Sequence, residues 1–354
     1  MRLLADLGGW PAVLNTLVGG RHLDREQAAA AMSEILAGEA TPAQLAGFVV
    51  ALRMKGETVE ELGGLLDAML DVAVRVPLPN DVRLRAVDVV GTGGDRSHSI
   101  NVSTLASFVV AGAGVPVCKH GNRAASSRCG AADLLEVLGV VIDLGSVGVA
   151  RCVRDAGIGF CLAPRFHPAL RHAGPPRREL GVPTAFNVLG PLANPARVVR
   201  QVLGVADESV AERMLQVLAA HGSQHVVVVH GADGLDELTT TGASTVHELR
   251  AGQVTTWKVD PAELGLEIAT AEQLRGGSPE DNAAFARGVL GGQRGPHRDI
   301  VVLNAAAGLY VGGKVDSLAA GVALAGDVID GGSAERALDL LVEVSAQAAG
   351  AESP

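Results

Sequence analysis

Aromatic side chains are scarce in this chain: tryptophan, tyrosine and phenylalanine together make up 3% of its 354 residues. A core for that length must be filled with Ala, Val and Leu, which the 48% apolar fraction supplies, and the 45 glycines imply tight turns and close backbone approaches. Basic charge is also in deficit. A formal net charge of -10 excludes a nucleic-acid surface or an anionic membrane as the main partner, because either demands a basic footprint. The four cysteines, Cys118, Cys129, Cys152 and Cys161, show no CxxC pairing and no histidine at metal spacing, so they read as reduced thiols rather than as a zinc site or disulfide framework. No apolar run approaches the roughly 18 to 20 residues of a membrane span. The opening "MRLLADLGGW" carries Asp6 and two glycines where a signal peptide needs a long apolar stretch. The expectation is a soluble, cytoplasmic protein with room for a large domain and a small one.

Residues 1–75 carry repeated helix-start signals. Asp24 with Gln27, Thr41 with Gln44, and Thr58 with Glu61 each fit a capping box; Pro42 stands at a first helical position, and Gly38 and Gly56 stand where helices stop. Apolar residues recur at helical spacing between these marks, which predicts three helices and then a linker, "RVPLPNDVRLRA". From residue 86 to 354 short β-branched runs alternate with helical stretches: "AVDVV", "GVPVC", "GVVIDL", "GIGFCLA", "QHVVVVH" and "DIVVLNAA". The fold class is therefore α/β: a small all-helical N-terminal domain, then a large α/β domain whose mainly parallel central sheet is flanked by helices. In such sheets ligands bind beyond the carboxyl ends of the strands.

Four polar segments fall where that rule directs attention. In "VDVVGTGGDRSHSINVST" a strand runs into Gly91, Gly93, Gly94 and Asp95, then into Ser99, Asn101, Ser103 and Thr104 before a helix that starts near Leu105. Such a turn is either an anion cradle of inward-pointing N–H groups or a plain strand-to-helix turn capped by Ser103 or Thr104. "CKHGNRAASSRCG" gathers Lys119, His120, Arg123 and Arg128 with Asn122, Ser126 and Ser127, the donors of a polyanion clasp or of a solvated loop. "HGADGLDELTTTGAST" sets Asp236 beside Glu237, a pair of hard oxygen ligands suited to magnesium or an ordinary surface turn. "APRFHPALRHAGPPRRELGVPTAFNVLGPLANPA" offers Arg177 or Arg178 as a bidentate donor to a carboxylate, while His167 and His172 read as structural.

In this order the segments resemble the anthranilate phosphoribosyltransferase family over essentially the whole chain. "GTGGD", "NVST", "KHGNRAASS", "NVLGPLANP" and "DGLDELT" carry the resemblance. It implies transfer of a phosphoribosyl group from 5-phosphoribosyl 1-pyrophosphate to the amino group of anthranilate, in tryptophan biosynthesis, with Mg2+ as two ions. It also implies a homodimer formed through a helical domain that residues 165–185 complete. Carried onto this chain, it places phosphoribosyl pyrophosphate on Gly91, Gly94, Asp95, Ser99, Asn101, Val102, Ser103, Thr104, Lys119, His120, Gly121, Asn122, Arg123, Ala124, Ala125, Ser126, Ser127 and Ala131. Anthranilate falls to Gly91, Asn122 and Arg177, and metal to Ser103, Asp236 and Glu237. Lys119 would stabilise the leaving group, and no residue acts as acid or base.

The chain departs from that family's pattern at named positions. Arg96 replaces the glycine common after "GTGGD", Ser99 replaces a threonine, and Ala131 a serine or glycine. Leu170 and the Pro175-Pro176 pair before Arg177 alter the acceptor side, which leaves a different aromatic acceptor as an alternative. A pyrimidine nucleoside phosphorylase is a second alternative; the adjacent Asp236 and Glu237 favour magnesium and pyrophosphate over it. A nucleic-acid-binding relative would need a basic groove that the acidic composition opposes.

Overall fold

Three capping boxes organise the N-terminal helices of the computed structural model, which describes residues 2–124 and 128–352. The side chains of Asp24, Thr41 and Thr58 accept the N–H of Gln27, Gln44 and Glu61 and start helices Arg25–Ala37, Pro42–Lys55 and Val59–Asp71. A further helix, Gly9–Val18, precedes them, so the three expected helices are preceded by one that the cap signals did not mark. It packs Trp10 edge-on against Phe48, with ring centroids 5.8 Å apart. Met32, Ile35, Leu52, Leu62, Leu65 and Leu66 are buried between the helices.

The sheet contains β1 (Val87–Gly91), β2 (Val117–Gly121), β3 (Ile158–Leu162), β4 (Arg200–Gly204), β5 (His225–Gly231), β6 (Ser244–Arg250) and β7 (Gln253–Val259). Their order is β3-β2-β1-β4-β5-β6-β7, parallel through β5 and antiparallel at β6 and β7. Side chains alternate between its two covered faces. Val87, Val89, Val202, Val227 and Val229 join a core with helices Val102–Gly112 and Pro296–Val311, whereas Val90, Leu203, Val226 and Val228 join the core of the N-terminal helices. That second core also takes Ala173, Ala185, Phe186 and Leu189, and the Val74 N–H donates to the Phe166 carbonyl at 2.8 Å.

Two expected strands are not strands. "DIVVLNAA" lies inside helix Pro296–Val311, which is buried on nearly every side; an all-round apolar helix lacks the polar face that would distinguish it from a core strand. "GVVIDL" is an unpaired connection whose Val141 N–H donates to Ser345 Oγ at 3.0 Å instead of to a neighbouring strand. Conversely β4 begins with Arg200 and Gln201, too polar to signal a core strand; Arg200 donates to the carbonyls of Leu84 (3.0 Å) and Val311 (2.6 Å). The β6–β7 hairpin turns on Ala251 and Gly252, with φ of 51° and 79°; this left-handed pair lacks the Asn-Gly signal of such turns. Among the described residues no helix is long and apolar enough to cross a membrane, and none of the four cysteines forms a disulfide.

Candidate active site

β1 and β4 both end in glycine, paired as Gly91 with Gly204 where the strand order reverses about β1. A Cβ on Gly91 would collide with the Asp236 carboxylate, and one on Gly204 with the Asp236 backbone carbonyl. The two glycines thus let the loop after β5 lie directly across the strand ends. Gly93, at φ 67°, donates its N–H to Asp236 Oδ2 at 2.7 Å, and the Thr92 N–H reaches the Gly204 carbonyl at 2.9 Å. The next helix begins at Val102 with Asn101 as its N-cap, earlier than expected and without a hydroxyl cap from Ser103 or Thr104. Its first turn instead grips the carboxylate loop: the Ser103 N–H donates to Glu237 Oε1 at 3.2 Å. From the other side Asn304 accepts the Leu238 N–H (2.9 Å) and donates to the Leu238 carbonyl (2.8 Å). Thr239 and Thr241 turn their hydroxyls to Asp233 Oδ2, at 2.9 and 2.7 Å, and so shape the loop.

Lys119 projects from β2 into this place and is 3% exposed; its Nζ donates to the Val89 carbonyl and, at 3.2 Å, to Ser103 Oγ. Burial lowers its pKa, while Asp88, Glu237 and Asp236 oppose that shift. The carboxylates respond in the opposite sense. Burial and then the charge of Asp95 push Asp236 up to about 7, and burial followed by Asp236 pushes Glu237 up to about 8. Three carboxylates facing one lysine leave negative charge unanswered, the electrostatics of a site completed by a cation. Among the described residues no ready cage of three or more His, Cys, Asp or Glu ligands exists, so a metal here would draw further oxygens from substrate and water.

Known proteins resemble this chain over nearly its whole length. The glycosyl transferase family α/β domain matches residues 83–335 and the helical bundle domain of the same family matches residues 11–73. The anthranilate phosphoribosyltransferase of Salinispora arenicola is 53% identical over 341 residues, 95% of this chain and 96% of the relative. The chain belongs to the anthranilate phosphoribosyltransferase family. The crystal structure of the anthranilate phosphoribosyltransferase from Thermus thermophilus superposes with a TM-score of 0.89 at 43% identity, covering 94% of this chain and 99% of that one. The Saccharomyces cerevisiae anthranilate phosphoribosyltransferase in complex with PRPP and Mg superposes at 0.87 with 28% identity, covering 96% and 98%.

Against that family frame, the remaining expected site residues divide into groups. Gly91, Gly94, Asp95, Ser103, Asp236 and Glu237 lie on the β1 turn, the adjoining helix start and the facing loop, and Lys119 reaches them from β2. Asn101 is engaged at both ends of its amide, donating to the Cys129 carbonyl at 3.1 Å and accepting from Asn282 Nδ2 at 2.9 Å. Ser99 is fastened by a bridge to Arg275, and Val102 is core. Thr104 Oγ1 is buried without a partner among the described residues. His120 is buried against His167, ring centroids 5.2 Å apart, and burial followed by that neighbour drives it down to about 3, so it is neutral. Beyond Gly121 and the exposed Asn122, the Arg123 guanidinium is held by Glu136 (2.5 and 2.9 Å) and Asp133 (3.2 Å). Asp133 Oδ2 also accepts the N–H groups of Ala124 and Gly130, folding the loop back before Ala131. Ala125, Ser126 and Ser127 lie outside the described residues. Arg177 follows Pro175 and Pro176 in the first turn of helix Gly174–Leu180, where their missing N–H groups cost no helical bond, and stacks 4.9 Å over Phe186. Leu170 packs on the helical core.

The departure at Arg96 has a structural meaning. Its φ is 59°, in the left-handed region where a side chain is strained, which explains the glycine usual in the family. Arg96→Gly is expected to stabilise the protein by roughly 0.5 kcal/mol, strain relief outweighing the extra chain entropy of glycine, as a shift in urea midpoint would show. Sequence reasoning missed Asp88, Asn194, Gly204, Asp133 and Asn304, each a single residue inside a run read as strand, loop or helix. Only Gly204, directly after "RQVL", carried a readable sign, a glycine ending an apolar run.

Proposed function

We propose that this chain transfers the 5-phosphoribosyl group of 5-phosphoribosyl 1-pyrophosphate to the amino nitrogen of anthranilate, releasing pyrophosphate and N-(5-phosphoribosyl)anthranilate. The observation that carries the reading is the convergence of Asp236, Glu237, Asp95 and Lys119 on the glycine turn after β1 and the start of helix Val102–Gly112. Asp236, Glu237 and Ser103 would hold Mg2+, two ions in this reading, which when bound neutralise the charge gathering on the departing pyrophosphate. Lys119 supplies a fixed positive charge to the same oxygens. The glycine turn, left-handed at Gly93 and Gly94, would cradle phosphate oxygens.

The acceptor is a neutral aromatic amine. Its nitrogen forms the new bond to C1 as the C1–O bond to pyrophosphate breaks, and the extra ammonium proton passes to water, so no strong base is required. Arg177, whose pKa burial lowers and which no carboxylate pairs among the described residues, is the donor assigned to the anthranilate carboxylate, and Asn122 and Gly91 are the other residues assigned to anthranilate. The helical unit, completed by residues 165–185, would form the homodimer; Val18 and Met54 stand 78% and 84% exposed on it. The net charge of -10 favours small-molecule substrates over nucleic acid, and the reading places the enzyme in the cytoplasm.

Purified protein with phosphoribosyl pyrophosphate and Mg2+ is expected to consume anthranilate, read as loss of its fluorescence with matching pyrophosphate release. Absence of both turnover and binding of either substrate would refute the reading; phosphoribosyl pyrophosphate binding without anthranilate turnover would point to another acceptor. A second result follows from the raised carboxylates. In the metal-free fold their pKa values, about 7 and about 8, exceed the ordinary carboxylate range, so the folded state binds the extra protons. Stability without metal therefore falls as pH rises from the unfolded carboxylate range through about 8. Mg2+ binding at pH 7 should expel about one proton, and its affinity should climb from pH 6 to 8 and then level. Titration calorimetry in buffers of different ionisation enthalpy reads that proton; a buffer-independent heat would contradict the assigned ligands.

A further inference from the structure

β1 runs in register with β4 from Val87–Arg200 to Gly91–Gly204, but its register with β2 is at Val87 with Val117. Past that pair a parallel ladder would bond the Cys118 carbonyl, the Val89 carbonyl and the His120 N–H between the two strands. Side chains occupy all of these groups. Asn194 Nδ2 donates to the Cys118 carbonyl at 2.9 Å, Lys119 Nζ donates to the Val89 carbonyl, and the His120 N–H donates to Asp88 Oδ1 at 3.1 Å. Asp88 is 0% exposed, and its other oxygen accepts from Asn194 Nδ2 at 2.8 Å and from Gln201 Nε2 at 3.5 Å. Gln201 is fixed in turn by the Pro191 carbonyl at 2.7 Å, and Asn194 Oδ1 by the Ala196 N–H at 2.9 Å.

We propose that Asp88 is a positioning residue for Lys119: by taking the ladder N–H of His120 it lets β1 and β2 part beyond Val117, so that the lysine can lie across the gap onto Val89 and Ser103. An unpaired N–H at His120 in a dry sheet would otherwise draw the strands together or go unsatisfied. The arrangement puts the Lys119 ammonium at the strand ends without a flexible excursion, and Asn194, from "NVLGPLANP", locks the carboxylate that makes it possible. This rests on the role given to Lys119 above.

The test compares wild type, Asp88→Asn, Asn194→Ala and, as a remote buried control, Ser345→Ala, whose hydroxyl accepts the Val141 N–H. Asparagine at 88 turns an amide nitrogen toward the donors of Asn194 or His120. It is expected to lower kcat/KM for phosphoribosyl pyrophosphate by tenfold or more, with the anthranilate KM within about twofold, because small misplacements of a charged group are costly in rate. Amide exchange across residues 118–121 should accelerate in the same variant. Asn194→Ala should shift both readouts in the same direction, and it carries the test if Asp88→Asn does not fold. Ser345→Ala should lose stability and leave both readouts unchanged. Folded Asp88→Asn or Asn194→Ala with kcat/KM within threefold of wild type and unaltered exchange would overturn the proposal. If wild type itself gives no turnover the functional reading fails instead, and exchange at residues 118–121 alone still decides for or against the Asp88 latch.

Discussion

Glu237→Gln is expected to lower Mg2+-dependent turnover by about 10²- to 10³-fold, the scale of losing one preorganised electrostatic contact, while raising the melting temperature of the metal-free protein by a few degrees. The two signs share one cause. Glu237 is 8% exposed and sits beside Asp236 and Asp95, so its negative charge is costly to the empty fold; burial ahead of those neighbours pushes its pKa up to about 8. Glutamine keeps an oxygen for the Ser103 N–H at Glu237 Oε1 and removes the charge. Residues that strain a fold for the sake of function show this opposition of stability and activity. Thermal melts at pH 8 without metal, paired with initial rates across a Mg2+ series, measure both arms. Turnover near wild type would remove Glu237 from the metal site, and a lowered melting temperature would show that the carboxylate is structural.

Lys119→Met is expected to reduce kcat/KM for phosphoribosyl pyrophosphate by about 10²-fold or more and to weaken inhibition by pyrophosphate, with little change in the KM for anthranilate. Methionine fills a similar volume, so packing against β1 survives. What goes is the donor to the Val89 carbonyl and Ser103 Oγ and the lysine charge that interacts with Asp236 and Glu237. The fold should hold, because removing a buried ammonium returns its desolvation cost and offsets the lost hydrogen bonds, each worth about 1 to 3 kcal/mol when a buried partner is orphaned. Steady-state kinetics with each substrate varied separately would check this. An equal rise in both KM values would indicate general damage to the site, and an unchanged kcat/KM would remove Lys119 from leaving-group stabilisation.

Glycine and hydroxyl spacing, caps and the order of polar segments by themselves determined much of this protein. The capping boxes at Asp24, Thr41 and Thr58 are local events, each closed within three residues, so composition and spacing suffice to place them. The glycine turn after β1 and the Asp236-Glu237 pair are equally local, and their sequence contexts carry the family resemblance. Tertiary structure alone decided which apolar runs became strands: Pro296–Val311 is helical because it is enclosed by neighbours, and Arg200–Gly204 is a strand because its polar start is capped by carbonyls of distant segments. It also decided what Asp88 does. One aspartate in "VDVV" carries no signal by itself; its meaning comes from the His120 N–H and the Asn194 amide, 32 and 106 residues away, which close on it only when β1 and β2 part. Short-range patterns are written by local geometry and can be read from it, whereas a buried charge is explained only by the partners that folding brings to it.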